Sequence, residues 1–296
     1  MSYSIDNLKI VKKIKEQIKE NFPSLWESIV KYGWELRTRV PLLEPLIFKQ
    51  LRKVSSSHIS TASNSEGKKI LFFQTRSNAP HLAWAGTLAK ALEVRGHQPM
   101  FLGCSRELAK SCNNANYPEG LSEARCRSCY LYTRRFFELS GVDTIWMGEY
   151  LSVIDYQEAE ILVNSIPKKK YETFEYKGIA LGQIARHSVA HYLRTGSIGQ
   201  DDESRDIYRK FLINSILVTD VSLKILDEYS PDVVTMLGCY FMPEHVMMEL
   251  AQAKGINVVT YEIAMLAQDA LMIQHNKAID YDDRENWEKY KDQPLN

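Results

Sequence analysis

Two copies of one local pattern constrain this chain more than anything else in it. Residues 69–75 (KILFFQT) form a short apolar run; the loop RSNAP follows, then a helix predicted from about residue 81 to 95, a stop at Gly96 and a second apolar run at 98–103, QPMFLG. Runs of that length without polar alternation suit strands covered by helices on both faces. Strand, loop, helix and strand within about 35 residues make a βαβ unit. The pattern returns as a strand at 232–237 (DVVTML), a helix over 244–254, a turn at Gly255 and a strand at 257–262. Between the two units, residues 128–139, 179–193 and 203–228 read as helices and 144–146 as a short strand. The expected class is therefore α/β, a Rossmann-like, doubly wound, mostly parallel sheet spanning residues 68–276.

A different pattern precedes it. Residues 1–54 predict a basic helical extension: Ile5, Leu8, Ile10, Val11, Ile14 and Ile18 recur at helical spacing with Lys12, Lys13, Lys15 and Lys19 on the other faces, and Pro23 opens a second helix. Residues 55–67, dominated by Ser, Thr, Asn and Gly, read as a linker, and 277–296 as a polar C-terminal tail or the start of a linker to a second domain. The whole chain has no net charge, but residues 1–60 carry 11 Lys and Arg against 6 Asp and Glu. A cap on the main domain and a peripheral contact with an anionic membrane are both open to such an extension.

At 296 residues, with 45% hydrophobic and 25% charged content, the chain has the composition of a folded globular protein. Charges interrupt the start where a secretory signal needs an apolar core, and no later run predicts a membrane span. The expected location is the cytoplasm, with a peripheral position at the inner face of the membrane also consistent. No basic, aromatic-interleaved patch suggests nucleic acid.

Open α/β sheets bind ligands beyond the carboxyl ends of their strands. That rule nominates Arg76, Ser77, Asn78 and His81 after the first strand, Gly238, Cys239 and Tyr240 after the penultimate one, and Glu262 at the end of the last. His81 opens a helix, where an imidazole can act as a base or contact a phosphate. Glu262 closes an apolar strand, where a carboxylate needs a partner or a hydroxyl-rich ligand. Arg186, His187, His191 and Arg194 fall on one or two helix faces and read as an anion contact or a solvated surface.

Four of the five cysteines crowd together as Cys104-x7-Cys112-x13-Cys126-x2-Cys129. The last pair offers two thiolates from one turn, and all four would complete a site for zinc or an iron–sulfur cluster; four unlinked thiols are the alternative. The common glycine-rich dinucleotide and P-loop patterns are absent, as are HExxH and GxSxG.

Taken in order, ILFFQTRSNAPHLAWAGTLAKALEVRGHQPMFLGC, LGQIARHSVAHYLRTG, IYRKFLINSILV, PDVVTMLGCYFMPEHVMMELAQAKGINVVTYE and WEKYKDQPL resemble the N-terminal half of GT-B-type glycosyltransferases that build bacterial capsules and surface polysaccharides. The resemblance runs from about residue 69 to the end. It implies transfer of a sugar from a nucleotide-sugar donor to a glycan or lipid-linked acceptor. Carried over by position, His81 matches the place that bears the acceptor-side base or contact and Glu262 the VTYE strand end, which makes these two the expected catalytic residues; Arg76, Ser77, Asn78, Gly238 and Tyr240, nominated by the strand ends, are then the expected acceptor contacts. In that family a second Rossmann-like domain binds the donor nucleotide, and such a domain needs well over a hundred residues more; the expectation is a donor site that is missing or lies on another chain. A non-catalytic, metal-binding module on the same fold is the competing expectation.

Overall fold

Hydrophobic alternation decides which side of the sheet each strand residue serves. In β1 (Lys69–Gln74) only Lys69 is exposed. Ile70 and Phe72 face one layer of helices while Leu71 and Phe73 face the other, so the strand carries two cores at once. The computed structural model describes residues 67–109, 111–114, 120, 122–264 and 271–279, with 16–18, 20–25, 28, 33, 48, 51, 288 and 292 from the flanking segments. Most of the basic extension, the linker and the polar tail lie outside the described residues, and with them the expected membrane contact.

The described chain forms a six-stranded sheet in the order β3-β2-β1-β4-β5-β6. Its members are β1, β2 (Gln98–Gly103), β3 (Asp143–Trp146), β4 (Val233–Leu237), β5 (Asn257–Ile263) and β6 (Leu271–His275). β1 to β5 pair in parallel, and β6 runs antiparallel along the edge of β5. The molecule is thus α/β with a mostly parallel sheet, compatible with the Rossmann-like expectation.

α1 (Ala79–Val94) and α2 (Glu123–Ser140) cover one face through Leu82, Ala85, Tyr132 and Phe136. α2 begins five residues earlier than its apolar pattern suggested, because the Ser122 hydroxyl accepts the Arg125 amide and caps the helix there. The two helices approach closely at Gly86, where a Cβ would lie 2.7 Å from Phe136 Cζ. Phe48, from the N-terminal extension, is fully buried in this layer, 4.8 Å from the Tyr132 ring.

The other face carries α3 (Val153–Ser165), α4 (Leu181–Leu193), α5 (Asp202–Tyr229) and α6 (Met242–Ala253). Helix α3 and strand β6 are absent from the sequence reading. α3 is signalled locally all the same, since Ser152 and Asp155 form a reciprocal capping box. α5 is the longest described element and is buried along much of its length. Its Asn214 side chain donates to the carbonyls of Leu108 and Ser111, both at 3.2 Å, and so ties the loop beyond β2 to the helix. No described helix is long and apolar enough to cross a membrane.

Candidate functional site

Strand order reverses between β1 and β4, so the chain leaves these neighbours toward opposite faces, the arrangement that in open α/β sheets makes a crevice at the carboxyl ends. β1 delivers Thr75, Arg76, Ser77 and Asn78 to that crevice, and α1 adds His81 from its first turn. β4 delivers Gly238, Cys239 and Tyr240, α6 adds Glu244, and β5 adds Glu262. α4 comes close enough for His191 to meet Phe241 edge-on, at 4.7 Å between ring centroids.

The two sides are joined through Glu244, which is only 2% exposed. Its Oε1 accepts the Thr75 hydroxyl at 2.7 Å and the Arg76 guanidinium at 3.1 Å. The first turn of a helix favours a carboxylate, because the free amides there carry partial positive charge. The Arg76 guanidinium also lies over the Phe241 ring, 4.5 Å from its centroid. Glu244 Oε2 is buried and has no hydrogen-bond partner among the described residues.

His81 shares that last property: its Nδ1 is buried and unpartnered among the described residues. Burial, reinforced by the nearby charge of Arg76, lowers its pKa to about 4, so the imidazole is neutral at physiological pH. The same two causes, burial first, lower His191, with Arg194 adding to the effect. Asn78 precedes α1 in an extended conformation, and its side chain makes no capping bond. The Gln74 side chain donates to the Arg76 carbonyl at 2.8 Å and holds the loop in place.

Across the crevice, the Cys239 amide donates to the Leu237 carbonyl at 2.6 Å, closing a tight turn at Gly238. Gly238 and Cys239 both have positive φ, 60° and 63°. A Cβ on Gly238 would sit 3.3 Å from Glu262 Oε2 and 3.4 Å from the Tyr240 ring, which locates both side chains over the turn. Tyr240 is 47% exposed, and its hydroxyl donates to the Ile279 carbonyl. Cys239 is a non-glycine residue in the left-handed region at the site itself, where such strain tends to collect. Arg76 and Glu244 thus join the β1 and β4 sides, Glu262 and Tyr240 flank Gly238, and His81 feels the charge of Arg76, whereas Arg186 points elsewhere, 3.9 Å from Glu172.

The cysteines gather partly. Cys126 and Cys129 lie one turn apart on α2. The Asn114 amide donates to Cys112 Sγ at 3.5 Å and its side chain to Cys129 Sγ at 3.8 Å, so two of the sulfurs share one neighbour. Burial pushes the Cys112 thiol up to about 12 and raises Cys104 and Cys126 as well. A metal ligand must be a thiolate, and among the described residues no three His, Cys, Asp or Glu side chains form a group that could hold an ion.

Sequence reasoning missed Thr75 and Glu244. Glu244 had the look of an ordinary acidic residue in a helix's first turn, and only the parallel pairing of β1 with β4 brings it to Arg76. The available signal was its position six residues beyond Gly238, on the helix that follows a switch-point strand. No protein-family model matches this chain, and no curated protein matches it either.

Proposed function

We propose that this chain is the acceptor-side half of a GT-B-type glycosyltransferase, moving a sugar from a nucleotide-sugar donor to a surface-polysaccharide or lipid-linked acceptor in the cytoplasm. The observation that supports this best is the meeting, at the switch point, of an uncharged His81, Arg76, Glu262 and the exposed ring of Tyr240. A polar crevice with an aromatic wall is suited to a sugar, whose hydroxyls need donors and acceptors and whose ring needs an apolar face.

In this reading an acceptor hydroxyl sits against His81. As its oxygen bonds to the donor's anomeric carbon, its proton passes to the imidazole. The sugar–phosphate bond breaks and the nucleoside diphosphate leaves with the electron pair. A base with so low a pKa takes the proton late, when the hydroxyl has become acidic through bond formation. Arg76, Ser77, Asn78, Gly238 and Tyr240 orient the acceptor, and a second Rossmann-like domain supplies the donor.

The test is thermal unfolding of the purified protein against oligosaccharides, lipid-linked acceptors and nucleotide sugars, because a ligand that binds only the folded state raises its melting temperature. Stabilisation by an acceptor, lost in Tyr240→Ala, supports the reading. Stabilisation by nucleotide sugars alone overturns it. The sulfurs of Cys112 and Cys129 beside Asn114 favour a second reading, a metal-binding module. Elemental analysis of wild type and of a Cys126→Ser, Cys129→Ser double variant decides that: less than about a tenth of an equivalent of zinc or iron in the wild type removes it.

A further inference from the structure

An arginine at the mouth of a sheet is ordinarily read as a phosphate contact, but here the neighbouring charges argue otherwise. Arg76 is paired with Glu244, and the pair is buried, with side-chain exposures of 13% and 3%. Glu244 is the group in α6 that faces it; from β5 a second carboxylate, Glu262, overlooks the turn at Gly238. From α1 and α4, His81 and His191 contribute no positive charge at neutral pH, and Arg194 at the end of α4 is exposed to solvent. Glu244 therefore cancels the charge of Arg76, and Glu262 leaves the lining with one carboxylate in excess. A phosphate entering the crevice would meet a guanidinium already committed to a carboxylate, together with a second carboxylate. A neutral polyol would meet the same groups as hydrogen-bond partners, with the Arg76 N–H groups donating to its oxygens and the Glu262 carboxylate accepting from its hydroxyls.

We infer that Glu244 sets the ligand class of this crevice: by neutralising Arg76 it makes the site select an uncharged, hydroxyl-rich ligand and reject phosphate. This rests on the acceptor-site reading for the statement that the polyol is the acceptor sugar, but the rejection of phosphate stands without it. Glu244 acts here through Arg76, as a positioning and charge-balancing residue.

The experiment titrates inorganic phosphate and, separately, UMP into the wild type, Glu244→Gln, and the double variant Arg76→Gln, Glu244→Gln, with binding read by calorimetry. Glutamine keeps an oxygen for the Thr75 hydroxyl while releasing the charge of Arg76. The expected result is no measurable binding to wild type, phosphate binding at least about tenfold tighter in Glu244→Gln, and loss of that gain in the double variant, a change of about 1.4 kcal/mol. Destabilisation by itself cannot create a new affinity that disappears on removing a second residue. Should Glu244→Gln fail to fold, Glu244→Met supplies the same neutralisation. Wild type binding phosphate as tightly as the variant overturns the inference, and so does a variant that folds and gains nothing. If the phosphate pattern holds but no oligosaccharide binds, the acceptor reading fails and the charge-balance inference survives.

Discussion

Protonating His81 gives the sharpest test of how the crevice is built. In the folded chain its pKa is lowered from 6.5 to about 4, with burial the larger cause and Arg76 the second. Above pH 6.5 both folded and unfolded states hold the ring neutral, so the shift leaves stability unaffected. As pH falls, the unfolded chain takes up its proton first. Stability therefore drops through the window from 6.5 down to about 4, the direction expected when the unfolded state binds more protons. Fully converted, a shift of this size is worth ~2 kcal/mol at about pH 5; since the ring is only half-buried, solvent screening reduces that to ~1 kcal/mol. His191 and His245 are lowered in the same sense and steepen the wild-type profile, so the measurement must be a difference. Urea unfolding of wild type and His81→Gln, followed by tryptophan fluorescence from about pH 7.5 to about pH 5, isolates it. Wild type should lose ~1 kcal/mol more than the variant over that range. Profiles parallel to within ~0.3 kcal/mol would show that His81 titrates normally and that Arg76 does not govern it.

Three further outcomes are expected. Removing either member of the buried Arg76 and Glu244 pair, as Arg76→Gln or Glu244→Gln, should destabilise by ~2–4 kcal/mol, while the double variant costs at least ~1 kcal/mol less than the sum; strictly additive values in chemical denaturation would deny the coupling. Asn214→Ala leaves two buried carbonyls and the Ser111 hydroxyl without their donor. It should lower stability by ~2–3 kcal/mol and speed hydrogen exchange in the loop at 108–114, whereas an unchanged exchange rate would show the loop is held by something else. Cys112, pushed up to about 12 by burial, should react with iodoacetamide far more slowly than a free thiol at neutral pH. Rapid alkylation confirmed by mass spectrometry would contradict that burial.

The sheet was largely legible because β1, β2, β4 and β5 are apolar on both faces, and such runs admit few other placements. β6 was not. Its residues are part-buried or exposed and none is buried, as befits an edge strand, and no pattern distinguishes that from an irregular segment. α3 was overlooked for a related reason: Ile154 and Ile161 are 62% and 70% exposed, so its apolar residues do not mark a single inner stripe. At the site, residues adjacent to a strand end could be found by position alone. Glu244 could not, because its role depends on a contact with Arg76 across 168 residues of chain. The cysteines show the limit from the other side: their spacing suggests a shared centre, α2 starts early enough to place Cys126 and Cys129 on a regular helix, and among the described residues no three ligand side chains are grouped to hold an ion.

Phe48 changes where this protein can be divided. By composition the serine-rich run at 55–67 is an obvious border between an appendage and a main body. Yet Phe48, on the far side of that run, is fully buried between Tyr132 and Phe136. Phe136 in turn presses on Gly86 of α1, the helix that carries His81. A protein shortened to begin at residue 67 would keep every described strand but lose a plug from its interior, a loss on the scale of a buried phenylalanine truncation, ~3–5 kcal/mol. A border drawn by composition at the serine-rich run would therefore cut Phe48 away from the core that it fills.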